Sequence, residues 1–186
     1  MRKTKTDVIV IGAGQAGLAI SYYLTKAKIE HIILERGSIA NAWKNERWDS
    51  FCLVTPNWTI TLPGAFNSSI DPDAFMKKDD FVRLLENWAK SFRAPVMEGA
   101  CVTDLGRTRD EFKVVTDSRI FFANQVIIAT ATYQRPKIPQ MLSNPDPRWE
   151  LKTVIDYKNP DSLNEGAVLV VGSGQSGCQI AEELNN

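Results

Sequence analysis

Gly12-Ala-Gly14-Gln-Ala-Gly17 stands directly after the apolar run Val8-Ile-Val-Ile11 and opens a stretch with helical spacing. A strand-to-helix turn of this kind gathers unpaired backbone N–H groups and the positive end of a helix dipole at one point, where a diphosphate can rest. Gly12 permits the tight turn, and Gly14 leaves room for phosphate to approach the backbone. Gly17 lets the helix lie close to the strand, while Gln15 and Ala16 belong to the first turn that faces the ligand. Glu35 follows 23 residues after Gly12, at the end of the next apolar run. An acid there can accept hydrogen bonds from both ribose hydroxyls of an adenosine and would repel a 2′-phosphate. The spacing thus points to FAD or NAD over NADP and leaves those two equally open.

The device occurs twice. Val8 to Ile20 lies over Val168 to Ile180 at an offset of 160 residues, and six of the eleven glycines fall in these two stretches. In the second copy, Gly172-Ser173-Gly174-Gln175-Ser176-Gly177 is positioned to hold a second pyrophosphate, with the two serine hydroxyls as further donors or as local caps. Two dinucleotides are implied. A pair of such turns ordinarily serves hydride transfer from a nicotinamide to a flavin, with the cofactors supplying the redox chemistry and the protein orienting them. That step requires no side-chain acid or base, and no catalytic side chain is assigned. The counterpart of Glu35 would fall past Asn186, which leaves NADH and NADPH open. A strand expected over 167–172 is apolar enough to need sheet neighbours and covering helices. The expectation is therefore a fragment, or a chain needing a homo-oligomeric or complementing partner.

Composition excludes other classes. With 22 Lys plus Arg against 22 Asp plus Glu, the 186-residue chain has no net field to draw it to nucleic acid or an anionic membrane. The single histidine, His31, cannot build a multi-histidine metal site, and it opens the apolar run Ile32-Ile33-Leu34 as a strand-edge residue. Cys52, Cys101 and Cys178 are far apart, so neither a disulfide framework nor a dithiol centre is indicated, and no metal is expected. The N-terminus lacks the apolar length of a signal or a span, and a cytoplasmic location is expected.

These motifs need elements to position them. The pattern predicts a strand over 7–12, a helix from about 14 to 28 and a strand over 31–35, followed by a long functional loop region over 36–77. Phe81, Leu84, Leu85, Trp88, Ala89 and Phe92 share one face of a core helix over 79–92, with Asp79 or Asp80 able to cap it. Short strands are expected over 96–105, 112–116, 119–122 and 125–130, with a hairpin turn at Thr116-Asp-Ser-Arg119. Four prolines make 134–147 an irregular linker. The predicted class is α/β, a Rossmann-like FAD/NAD(P)-binding three-layer fold with a small antiparallel β element and an incomplete second dinucleotide unit. Residues 1–147 form the FAD-binding part, and 148–186 the linker and the start of an NAD(P)H-binding domain.

Both glycine motifs, Leu34-Glu-Arg36, Ala42-Trp43, Arg47-Trp-Asp-Ser-Phe-Cys-Leu-Val-Thr-Pro56, Leu62-Pro-Gly64, Gln125-Val-Ile-Ile-Ala-Thr130 and Arg135-Pro-Lys-Ile-Pro139 together resemble the front part of the flavin-containing monooxygenase superfamily. The resemblance implies FAD on Gly12, Gly14, Gly17, Glu35 and Arg36, with Trp43 and Arg47 near the flavin end and Val102 offering backbone contacts to adenine. Ala129 and Thr130 would pass close to FAD, and Gly172 to Gly177 would hold NAD(P)H. It further implies oxygen activation on a small organic substrate. Two departures stand out. Ala129-Thr130-Ala131 replaces the family's Ala-Thr-Gly, and Thr153 and Val154 stand where the family has a His-Ser pair before Tyr157-Lys-Asn-Pro160. Three readings follow: a monooxygenase-type oxidoreductase, a flavin-dependent NAD(P)H reductase without oxygenation, and a silent nucleotide-binding remnant. A disulfide reductase ranks last.

Overall fold

The computed structural model describes residues 2–65 and 71–185. Its centre is β1 (Arg2–Ile11), where the β-branched run Val8-Ile-Val10 is buried on both faces. The chain turns through Gly12 to Gly14 into α1 (Gln15–Lys26), which ends as Lys28 adopts a left-handed conformation, and returns as β2 (His31–Leu34), parallel to β1. This is the strand, helix, strand unit that the glycine motif requires.

Six strands then form one sheet, in the order β3-β2-β1-β6-β5-β4. Here β3 is Val96–Met97, β4 Val102–Arg107, β5 Phe112–Thr116 and β6 Arg119–Ile128. The four strands β3, β2, β1 and β6 run parallel, and β4 and β5 add antiparallel neighbours at one edge. The two runs expected over 119–122 and 125–130 fuse into the single β6, because its first half pairs with the basic start of β1 as well as with β5. The single strand expected over 96–105 is instead split, since Gly99 takes a left-handed conformation between β3 and β4. The hairpin at Thr116 to Arg119 forms as expected, with the Thr116 hydroxyl accepting the Arg119 N–H at 3.0 Å.

Two helices enter the loop region and its end: the short α2 (Asn41–Asn45) and α3 (Lys78–Ser91). Phe81, Val82, Leu85, Trp88 and Ala89 of α3 join Val8, Val10, Leu18 and Ile33 in the larger core. The indole of Trp88 donates to the Pro63 carbonyl at 3.0 Å, which makes it the core residue its helical spacing suggests. The N-cap of α3 is Lys77, not an aspartate; Asp79 and Asp80 lie inside the first turn and act on the helix dipole instead. On the opposite face of the sheet, Ile9 and Leu34 pack with Ala100, Val114, Phe121 and Ala123.

The segment 167–172 is not a strand. It pairs with no neighbour among the described residues, and Val168, Leu169 and Val171 are exposed. Its sequence has the apolar content of a parallel strand, yet a strand exists only when an adjacent backbone accepts its hydrogen bonds. The helix that follows does form, as α4 (Gln175–Asn185). Among the described residues no helix is long and apolar enough to cross a membrane.

Candidate functional site

The turn between β1 and α1 is built by contact with β6. The Gly12 N–H donates to Leu34 O at 2.8 Å, and the Ala129 N–H donates to Ile11 O at 2.8 Å. Gly12 has φ +106°, and a Cβ placed there would lie 2.6 Å from the Ala129 carbonyl oxygen. A Cβ on Gly17 would lie 1.9 Å from the Gly12 carbonyl oxygen, so this glycine allows α1 to seat on the turn. Gly14 behaves differently. A Cβ there would meet nothing within 4 Å, and no side chain caps the helix that Gly14 begins. Gln15 and Ala16 in the first turn are exposed beside this open space, as an anion cradle requires, while Gly17 is buried beneath them.

Glu35 closes the floor of this cradle. Its carboxylate is buried and accepts the Ala13 N–H at 2.8 Å through one oxygen and the Gly37 N–H at 2.9 Å through the other. Each oxygen keeps a lone pair, so the residue can bind a ribose hydroxyl while bracing the turn from below. Sequence reasoning identified the acid but not this bracing role. It also missed Ala40 and Glu98. Ala40, left-handed at φ +60°, donates its N–H to Ala13 O at 3.0 Å, and Glu98 accepts the Ile39 N–H at 2.8 Å. Neither carries a motif signal, because each acts on a partner distant in sequence, Ala40 through its backbone and Glu98 through its carboxylate.

The remaining candidates are placed as follows. Arg36 pairs with Glu46 at the end of α2. Trp43 is half-buried, edge-on to Phe81 at 4.8 Å, and serves as an anchor for its loop. Arg47 stacks its guanidinium over Trp43 at 5.5 Å and Phe51 at 5.8 Å, and donates to Glu46 O at 3.0 Å. Val102 opens β4, two residues beyond Ala100, whose N–H donates to Glu35 O at 2.8 Å. Ala129 touches the first turn, whereas Thr130 is exposed, and Ala131 is held left-handed at φ +59°. His31 is bonded within the fold, its Nε2 lying 2.7 Å from Ser21 Oγ.

The second turn repeats the geometry of the first. Gly172 has φ +117°, a Cβ on Gly177 would lie 2.0 Å from Gly172 O, and one on Gly174 would meet nothing within 4 Å. Gln175 begins α4, while Ser173 is exposed and Ser176 half-buried in its first turn. Trp48, Tyr157 and Ile180 form a separate buried cluster that joins this unit to the loop after α2. The Tyr157 hydroxyl donates to Glu183 at 2.7 Å, and burial first, then the Glu183 carboxylate, push its ionisation above the usual tyrosine value. Asp49 accepts from Asn159 at 2.7 Å, and this bond, with Lys78 beside it, holds its carboxyl below the usual range.

Four parallel strands with an antiparallel edge, and two matching glycine turns at helix starts, define a dinucleotide-binding scaffold. Residues 9–186 match the pyridine nucleotide-disulphide oxidoreductase family, and the chain belongs to it. The chain is 39% identical over 180 residues to a protein described as an uncharacterized CzcO-like oxidoreductase of Geobacillus kaustophilus, covering 96% of this chain and 51% of that protein. It is 30% identical over 184 residues to a probable indole-3-pyruvate monooxygenase, YUCCA1 of Arabidopsis thaliana, covering 95% of this chain and 44% of that one. A mutant flavin monooxygenase from Stenotrophomonas maltophilia superposes with a TM-score of 0.82 at 25% identity, covering 98% of this chain and 55% of that chain. These matches bear out the resemblance to flavin monooxygenases and the α/β fold. The chain spans about half the length of the curated relatives it matches.

Proposed function

We propose that the first turn holds the diphosphate of FAD and the second that of NAD(P)H, in an FAD-dependent oxidoreductase of monooxygenase type. The observation that carries this reading is the paired contrast at each turn: one glycine packed against backbone, the other facing open space at the start of a helix. Gly14, Gln15, Ala16 and Gly17 present amides to FAD, and Glu35 takes the ribose hydroxyls. In this reading Arg36, Val102, Ala129 and Thr130 would contact the same cofactor, and Trp43 and Arg47 would face its flavin end. Gly172, Ser173, Gly174, Gln175, Ser176 and Gly177 do the same for the nicotinamide dinucleotide. FAD held at the first turn would supply the hydride-accepting chemistry, and the chain's task would be to orient and desolvate it. A small organic substrate completes the reaction.

One observation favours a second reading, an NAD(P)H reductase without oxygenation. Where the resemblance calls for a histidine, Thr153 is tied into a local turn, its hydroxyl bonded to Asp156 at 2.7 Å and its N–H at 3.1 Å. No imidazole is available there to attend the nicotinamide. Titration of the purified chain with FAD, followed by flavin fluorescence quenching, tests the first site; no quenching would remove both readings. With FAD bound, the fraction of NADPH consumed that appears as hydrogen peroxide separates them. Near-complete peroxide release across a panel of ketone, indole and amine substrates would favour the reductase.

A further inference from the structure

Residues 51–53 form one side of an isolated β-bridge. On one edge Cys52 bridges Lys77 in antiparallel fashion, the Leu53 N–H donating to Met76 O at 2.9 Å and the Lys78 N–H donating to Phe51 O at 2.9 Å. Backbone groups alternate along an extended chain, so the N–H and C=O of Cys52 itself face the other edge. There the carboxamide of Gln179 meets both. Its Oε1 accepts the Cys52 N–H at 3.3 Å, and its Nε2 donates to the Cys52 carbonyl at 3.0 Å. A primary amide offers the same donor and acceptor pair as a peptide group. We infer that Gln179 is a positioning residue whose carboxamide replaces a neighbouring strand on Cys52, fixing the second glycine turn against the loop that carries Trp43 and Arg47.

The internal repeat supports this assignment. At the matching place the first copy has Ala19, which packs into its own core, and the two copies otherwise share their glycines and the glutamine after the second glycine. The difference falls on the face of α4 that meets the loop. Ile180 beside Gln179 packs against Trp48 and Tyr157, and one turn later Glu183 accepts the Tyr157 hydroxyl. The loop is held from the same side, with the Asp49 N–H donating to Lys158 O at 2.7 Å. From Cys52 the contact passes to Phe51, whose ring lies 5.8 Å from Trp43 and under the Arg47 guanidinium. Hydride transfer demands donor and acceptor atoms about 3–3.5 Å apart, so a latch between the two cofactor units governs rate more than affinity.

This inference rests on the proposed pair of dinucleotide sites for its catalytic consequence, but the latch itself is testable without them. Gln179→Leu and Gln179→Met keep the side-chain volume and the helix while removing the hydrogen bonds. Amide hydrogen exchange at Cys52 should quicken about tenfold in both variants, the change expected for losing roughly one net hydrogen bond. Exchange at Ile9 and Val10 should stay as in the unaltered chain. With FAD bound, the NADPH-driven reduction rate should fall about tenfold, while dissociation constants for FAD and NADPH stay within about twofold. Unchanged Cys52 exchange in both variants, or a reduction rate equal to that of the unaltered chain, would overturn the assignment. Failure of the unaltered chain to bind FAD would instead sink the cofactor reading, and the exchange experiment would still decide the latch.

Discussion

Gly14 and Gly17 sit three residues apart in one motif, yet the structure gives them opposite physical roles, and two substitutions separate them. Gly17→Ala places a methyl group 1.9 Å from the Gly12 carbonyl oxygen and 3.5 Å from the Ala129 Cβ. Both neighbours are held by the sheet, so α1 must shift as a body. Overpacking of this kind costs about 1–3 kcal/mol, and contact with backbone places it at the upper end. Gly14→Val meets nothing within 4 Å and sits at φ −82°, a conformation open to any residue. Its cost to the ligand-free fold is limited to about 1 kcal/mol, for a poor N-cap residue. FAD should distinguish the two in reverse, because the valine side chain fills the space a diphosphate oxygen needs. Urea denaturation without ligand, paired with FAD titration by calorimetry, gives both numbers. The expectation is a large stability loss for Gly17→Ala, and no measurable FAD binding for Gly14→Val with a near-normal denaturation midpoint. FAD binding by Gly14→Val at undiminished affinity would refute the cradle.

Three further outcomes follow from the same geometry. Glu35→Ala should lower ligand-free stability by about 1.5–3 kcal/mol, since the buried Ala13 amide and the half-buried Gly37 amide lose a charged acceptor, and urea denaturation measures it. Ala131→Gly should raise stability by about 1 kcal/mol, because φ +59° is a conformation that costs alanine and not glycine, and a higher melting temperature would show it. Tyr157 ionises in the unfolded chain near its ordinary value of 10.0 but at higher pH when folded, owing first to burial and then to Glu183. Its stabilising contribution is complete below that value and is lost as pH rises above it. Tyr157→Phe should therefore flatten the fall of stability above pH 10 in alkaline denaturation curves.

The sequence by itself determined the elements whose signals are local. The run Val8 to Ile11, the glycine spacing and Glu35 fixed the first strand, turn, helix and acid, because periodicity and backbone freedom are written in adjacent residues. The face of α3 was legible for the same reason, down to the buried Trp88. Tertiary structure alone decided what depends on a partner distant along the chain. The apolar segment 167–172 has strand composition but no strand, since no backbone among the described residues completes its ladder. Glu35 braces the turn through Ala13, Ala40 supports it from a loop without motif, and Gln179 reaches Cys52 across 127 residues. Hydrogen bonds and packing across such separations depend on where the whole chain goes, and no window of sequence contains that information.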